Sequence, residues 1–237
     1  ENAGVASKGV WSSGVSLADV NGDGLLDIYV CKSGKPGGQN RHNELYINNG
    51  DLTFTEKAKE YGIDIEGLSI HASFFDYDGD GDLDMYLLNT SYEAIEGYKD
   101  ITGEARKIPD PTGGDKLFRN DGDVFTEVTK KAGIYSSRIA FGLSASISDI
   151  NRDGWPDIYV ANDFFERDYL YLNKRDGTFR EILETQMNTI SLSSMGSDIA
   201  DLTNNGWPDI FVADMYPLSE KRKKSKMVGM TKIKEGK

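Results

Sequence analysis

The chain has 237 residues and a formal net charge of −12, enough length for a sizeable core in one domain or for two small ones, and too acidic a body for a nucleic-acid partner. Its single cysteine, Cys31, excludes an intrachain disulfide, and no apolar run reaches the ~18 residues of a membrane-spanning helix. No signal peptide is recognisable, and a first residue Glu1 without Met suits a processed or truncated chain.

Ala3-Gly4-Val5 stands first in chain order, a tripeptide echoed later by Tyr61-Gly62-Ile63 and Ala132-Gly133-Ile134. Residues 14–20, rich in Ser, Ala and Gly, read as a strand that runs into the loop Asp19-Val20-Asn21-Gly22-Asp23-Gly24-Leu25-Leu26-Asp27. The β-branched and aromatic run Asp27-Ile28-Tyr29-Val30 is the next strand, with Cys31 at its end as a buried small hydrophobe. A Gly-rich, basic connection, 32–42, leads to a third strand at 43–48, an Asn49-Gly50 turn and a short outer strand at 53–56.

The same text then returns. A strand at 72–76 enters the loop Asp76-Tyr77-Asp78-Gly79-Asp80-Gly81-Asp82-Leu83-Asp84, followed by Met85-Tyr86-Leu87, a strand at 115–120, the turn Asp121-Gly122 and an outer strand at 124–127. A third unit runs from a strand at 142–150 through the loop 149–157 to Ile158-Tyr159-Val160, a strand at 168–173, Asp176-Gly177 and an outer strand at 178–181. A fourth opens at 196–202, has its loop at 201–209 and continues into Ile210-Phe211-Val212 without a third strand. The loops begin at 19, 76, 149 and 201, so they lie 57, 73 and 52 residues apart. Residues 220–237 hold eight Lys or Arg against two Glu and read as a solvated basic tail, with an anionic partner surface or lipid headgroups as the sharper alternatives.

Each loop places oxygen side chains at positions 1, 3, 5 and 9 and Gly at 6. Hard oxygen donors at alternate positions around a sharp turn are what Ca²⁺ requires. The candidate ligands are Asp19, Asn21, Asp23 and Asp27; Asp76, Asp78, Asp80 and Asp84; Asp149, Asn151, Asp153 and Asp157; and Asp201, Thr203, Asn205 and Asp209, with the backbone carbonyls of Leu25, Asp82, Trp155 and Trp207 at position 7. An EF-hand opens in the same way but needs a bidentate Glu at position 12 and a following helix. Here position 12 is Val30, Leu87, Val160 and Val212, within strands. Asp, Asn and Gly also make plain turns, but carboxylates packed this closely repel unless a cation sits among them. Three calcium sites are expected in the first three loops and a weaker fourth, whose only carboxylates are Asp201 and Asp209. Twelve Asp occupy the side-chain positions, so four divalent ions would bring the chain from −12 to −4.

Four short strands per unit, the innermost built of small residues that suit crowding near an axis, predict an all-β fold of β-propeller blades. The expected boundaries are about 10–65, 66–135, 136–190 and an incomplete 191–219, within a partial propeller spanning 1–219. The D-x-[DN]-x-[DN]-G-x-x-D loop between strands resembles the FG-GAP or VCBS repeat of integrin α-subunit propellers. With Leu45-Tyr46-Ile47-Asn48, Phe54-Thr55-Glu56 and Ala132-Gly133-Ile134 the text looks closer still to bacterial secreted VCBS proteins of the ASPIC/UnbV and cartilage acidic protein group. The resemblance covers about residues 1–219, although no ASPIC/UnbV-like tail follows. It implies bound calcium, an extracellular or bacterial outer-membrane setting as a secreted protein or lipoprotein, and a chain forming part of a seven-bladed propeller. About three and a half blades leave strand edges that a protein partner or the remainder of a longer chain would cover.

Binding surfaces are sought in the connections. The longest, 89–114, carries Tyr92 and Tyr98 as a candidate contact for protein or glycan, and 162–167 carries Phe164 and Phe165, exposed anchors or, as the plainer reading, a cap over the blade core. His71 precedes an inner strand and reads as structural, and His42 beside Arg41 reads as a surface residue. Neither a nucleophile elbow nor an HExxH motif is present, so the leading expectation is not an enzyme. It is a calcium-stabilised protein-binding module or subunit of a surface complex, with a glycan-binding module and a polysaccharide lyase-like enzyme as alternatives. Any membrane attachment would come from that complex or from a lipid anchor outside this chain.

Overall fold

The structure, a computed structural model, describes residues 2–7, 11–34, 39, 41–91, 104–122, 124–164, 166–191 and 193–215. Its strands fall into antiparallel sheets that follow chain order. The first sheet is β1 (Ser12–Ala18), β2 (Asp27–Lys32), β3 (Glu44–Asn48) and β4 (Phe54–Glu56). The second is β5 (Ser69–Phe75), β6 (Asp84–Asn89), β7 (Lys116–Asn120) and β8 (Phe125–Glu127). The third is β9 (Gly142–Ser148), β10 (Asp157–Asn162), β11 (Tyr169–Asn173) and β12 (Phe179–Glu181). A two-stranded sheet of β13 (Ser194–Ala200) and β14 (Asp209–Asp214) comes last. The all-β array of four-stranded blades expected from the sequence is thus present, three blades complete and the fourth half-built among the described residues.

The strand limits differ from expectation at one consistent place. The inner strands stop before loop position 1, because Asp19, Asp76, Asp149 and Asp201 turn their carboxylates to accept loop N–H groups and so leave the ladder. The inner strand of the second sheet also starts early, so His71 lies within β5, half-buried, rather than ahead of it; burial lowers its pKa. Two helices, α1 (Thr129–Ala132) and α2 (Leu183–Gln186), and a 3₁₀ turn at Ala105–Lys107 were not expected, since four residues carry too little periodicity to read. Gly133, at φ 79°, closes α1 in the left-handed conformation.

Each apolar core lies between neighbouring sheets. Tyr29, Leu45 and Ile63 of the first unit meet Phe74, Leu87 and Phe125 of the second. Tyr86, Leu88 and Leu117 meet Ile158, Val160 and Tyr171, and Tyr159 and Leu170 meet Ile199, Ile210 and Val212. Cys31 is fully buried in the first core, and burial pushes its thiol up to about 12, which removes it from nucleophile chemistry. The seams between inner strands are where small residues matter. A Cβ at Gly14 would meet the Ile70 carbonyl at 2.2 Å, and the Ser13 hydroxyl donates to the Ser69 carbonyl across the same seam.

The recurrent tripeptides share one role. The Ala3 carbonyl accepts from Phe54 N at 2.8 Å, as the Tyr61 carbonyl accepts from Phe125 N at 2.9 Å, so each tripeptide lies against the outer strand of the following sheet.

Candidate metal centre

The four loops occupy equivalent positions on the four sheets, each closing the hairpin between the inner strand and its neighbour. Their internal hydrogen bonds repeat. Position 1 accepts loop N–H groups with both oxygens: Asp19 from Asp23 and Gly24, Asp149 from Asp153 and Gly154, Asp201 from Asn205 and Gly206, and Asp76 from Gly79 and Gly81. Position 5 accepts the N–H of position 7, Leu25 to Asp23, Asp82 to Asp80, Trp155 to Asp153 and Trp207 to Asn205. The central Gly at position 6 takes positive φ in every loop, 87° at Gly24, 99° at Gly81, 89° at Gly154 and 83° at Gly206.

Position 9 has a double task. One Asp84 oxygen accepts from Tyr77 N at 3.0 Å, and the other accepts from Asn120 N of β7 at 2.8 Å. Asp27 bridges Val20 N and Asn48 N, and Asp157 bridges Ile150 N and Asn173 N, in the same way. In the fourth loop Asp209 accepts from Leu202 N and from the backbone and hydroxyl of Thr203.

Among the described residues, the second loop alone gathers three carboxylates for one ion: oxygens of Asp76, Asp78 and Asp84 all lie within 4.8 Å of one another. Asp80 and Asp82 stand outside that group. Burial pushes the Asp84 carboxyl up to about 7 against the two N–H donors that favour its charged form, and burial likewise raises Asp78, with Asp80 and Asp76 adding repulsion. Burial also raises Asp27 and Asp157. The Asp78 Oδ1 atom is buried with no hydrogen-bond partner. An orphaned carboxylate oxygen beside two further carboxylates fits a hard divalent cation, so this donor set passes the test that a calcium site imposes.

The other loops are less convergent. In the third, Arg175 pairs with Asp153 at 2.9 Å and brings a positive charge of its own. In the first and third, the position-3 amide donates to position 5, Asn21 to Asp23 at 3.1 Å and Asn151 to Asp153 at 3.0 Å.

Loops of adjacent blades touch. The Trp155 ring covers Gly79, where a Cβ would come within 2.8 Å of it, and the Arg152 guanidinium lies 5.0 Å from the Trp207 ring centroid. A second link had not been recognised from sequence. Asn120 Nδ2 donates to the Leu83 carbonyl of its own loop and to the Val20 carbonyl of the preceding loop, at 3.2 and 3.1 Å. Asn173 does the same with Pro156 and Tyr77. The signal was present, for Asn48, Asn120 and Asn173 end the third strand of each complete unit.

A matching staple sits at the start of that strand. Asp115 accepts from Asn89 N and the Tyr86 hydroxyl at 2.9 and 2.8 Å, and Asp168 from Asn162 N and the Tyr159 hydroxyl at 2.8 and 2.6 Å. In the first sheet Asn43 replaces the acid, accepting from Lys32 N and donating to the Tyr29 hydroxyl.

Of the candidate contact residues, Phe164 is half-buried, with φ 65°, and packs its ring on Phe141 at 4.9 Å. Tyr92, Tyr98, Phe165 and the basic tail lie outside the described residues. Arg41 is buried against Glu66 at 3.3 Å, while His42 is exposed and its Nδ1 lies 2.9 Å from the Asp64 carbonyl. No helix among the described residues is long and apolar enough to cross a membrane.

The FG-GAP-like repeat model matches residues 19–87 and 149–212. Human integrin alpha-6 is 32% identical over 88 residues, covering 32% of this chain and 8% of its own length. Human integrin alpha-7 is 39% identical over 83 residues, 30% and 7% of the two chains, and integrin alpha-3 of Cricetulus griseus 34% over 89 residues, 33% and 8%. The chain therefore spans less than a tenth of these curated relatives. A solved Agrocybe aegerita lectin, described for specific recognition of non-reducing terminal N-acetylglucosamine, aligns over 83% of this chain and 45% of its own with TM-score 0.42 and 23% identity.

Proposed function

The chain belongs to the FG-GAP-like repeat family, and we propose that it is a calcium-stabilised propeller segment that binds protein, as a module or subunit of a complex at the cell surface or in the secreted space. The observation that carries the calcium reading is the second loop, where Asp76, Asp78 and Asp84 converge and Asp78 Oδ1 lacks a partner. Asp76, Asp78 and Asp84 would hold the principal ion, the Asp19–Asp27 and Asp149–Asp157 loops further ions, and the fourth loop the weakest. Bound there, calcium supplies positive charge to carboxylates that burial otherwise pushes toward protonation. Its role is structural, because the loops fix third strands and neighbouring blades. A millimolar-calcium exterior suits such sites better than cytosol does.

The protein-binding reading is supported by the two outer faces. By register, Leu17, Phe74, Ile147 and Ile199 are equivalent, each directly opposite the second residue of the neighbouring strand. Phe74, Ile147 and Ile199 pack on the preceding blade, whereas Leu17 is 60% exposed. At the other end Phe211 stands where Tyr29, Tyr86 and Tyr159 are buried, and it is 57% exposed. Such faces suit a protein surface, either a partner or further blades.

The test is calcium-dependent. Adding Ca²⁺ to chelated protein should raise the melting temperature, and a pull-down from the surface fraction of the source cells should recover a stoichiometric protein partner only with calcium present. A melting temperature indifferent to calcium and EGTA would remove the metal reading. Absence of any partner would remove the binding one.

A further inference from the structure

A cavity of about 660 Å³ lies between the Ala105–Lys107 turn with the segment that follows it and the end of α1, a size suited to a few residues of peptide. Part of its lining is apolar: the exposed Pro109 and Pro111, the buried Ile134 and the half-buried Tyr135. Asp110 N donates to the Ser136 carbonyl at 2.8 Å, and Pro109 bridges Ser137, so the proline segment is tied to the blade.

The lining is also cationic. Arg106, Lys107, the buried Lys116 and Lys130 contribute to it, with Glu127 the only acid among the described residues. Arg106 is paired with the buried Glu166, and Lys116 lies 3.6 Å from Glu127. Lys107 is held 2.9 Å from Glu104 on the open surface, and Lys130 has no ion pair among the described residues. A shallower groove continues from it, sharing Glu127, Thr129 and Lys130 and adding Arg119 and Lys131. On a chain of net charge −12 this is a local reversal of sign.

We propose that this groove on the second blade binds a short acidic peptide segment of a partner protein, with an apolar side chain against the prolines and Tyr135 and carboxylates at Lys107 and Lys130. The assignment rests on the protein-binding reading and names the partner's chemistry. Charge complementarity selects an anionic occupant. The lining favours a peptide over an acidic sugar, because Pro109, Pro111, Ile134 and Tyr135 offer a seat for an apolar side chain.

The probe is a fluorescein-labelled hexapeptide, Glu-Leu-Glu-Glu-Leu-Glu, titrated with the calcium-loaded full chain and followed by anisotropy at about 50 mM salt. Saturable binding is expected, weakened roughly tenfold by the double change Lys107→Glu with Lys130→Glu. Both lysines are exposed, and an unchanged calcium-dependent melting temperature would verify that the variant folds. Lys59→Glu, on the first blade, should leave binding intact, and a peptide with Gln for Glu should not bind. No binding of the probe, equal binding to the double variant, or binding of an oligogalacturonate in place of the peptide would each overturn the assignment. A partner captured equally by wild type and double variant would remove the groove and leave the protein-binding reading standing. Failure of wild type to capture any partner would remove that reading itself.

Discussion

Asp115 gives the sharpest test of the electrostatics. It is fully buried and accepts from Asn89 N and the Tyr86 hydroxyl, yet burial outweighs both donors and pushes its carboxyl up to about 7 from 3.8. The folded state therefore holds a proton that the unfolded state has already released between those two pH values. Stability falls as pH rises through that window and is flat above it. At about 1.4 kcal/mol per pH unit, this one residue costs up to about 4 kcal/mol by neutral pH. Asp115→Asn removes the titration. The first blade indicates that an amide fits: Asn43 accepts from Lys32 N at 2.7 Å, and its Nδ2 donates to the Tyr29 hydroxyl at 3.0 Å. In the variant the Tyr86 bond would reverse in the same sense. Tyr29 passes its proton to the Ile63 carbonyl at 2.9 Å; without such an acceptor for Tyr86 the reversal costs about 1 kcal/mol.

Urea unfolding of wild type and Asp115→Asn, in saturating calcium from about pH 4 to pH 8, reads the difference directly. Carboxylates whose pKa is lowered, such as Asp121 beside Arg119 and Asp176 beside Thr178, contribute the opposite slope but cancel in that difference. The variant should start near or just below wild type at pH 4 and gain steadily toward neutrality. A difference that stays constant or shrinks with rising pH would refute the assignment of a buried, proton-holding acid.

Asp78→Ala should abolish most of the calcium-induced rise in melting temperature, whereas Thr203→Ala at the same position of the fourth loop should leave it nearly whole; equal losses would count against the second loop as the principal site. Asn120→Ala deletes one hydrogen bond to its own loop and one to the preceding loop and should cost about 1–3 kcal/mol in urea unfolding, with a loss below about 0.5 kcal/mol showing the clasp to be idle. Gly133→Ala should cost more than Gly122→Ala. Both take positive φ, 79° and 75°, but a Cβ at Gly133 would meet the Phe179 carbonyl at 2.9 Å while Gly122 faces open space. The left-handed strain alone is about 1 kcal/mol, so similar losses would mean that the outer-strand contact yields freely.

Much of the fold was legible because it is written several times. Alternating strands, Gly turns and the Asp loops recur in register, and a repeat exposes pairings that a single copy would leave open. The second loop carries four Asp at its ligand positions, and among the described residues it is the one that gathers Asp76, Asp78 and Asp84. What escaped was whatever depends on contact between segments distant in sequence. The cavity gathers residues from 106 to 136, and nothing in that stretch of sequence marks Lys107 and Lys130 as lining one cavity. Asn120 was visible as the end of a Leu-Phe-Arg-Asn strand, but its bond to Val20 spans 100 residues. That bond gives the loops a second meaning. Asp84 commits one oxygen to Tyr77 N, so it shapes its own loop, and the other to Asn120 N, so it positions the residue whose amide reaches back to the first blade. The Tyr77 carbonyl in turn accepts from Asn173 of the third blade. The second loop is therefore connected to the blades on both sides through hydrogen bonds of ordinary length. That is why the stability of the whole array, rather than of one hairpin, is the quantity calcium should move.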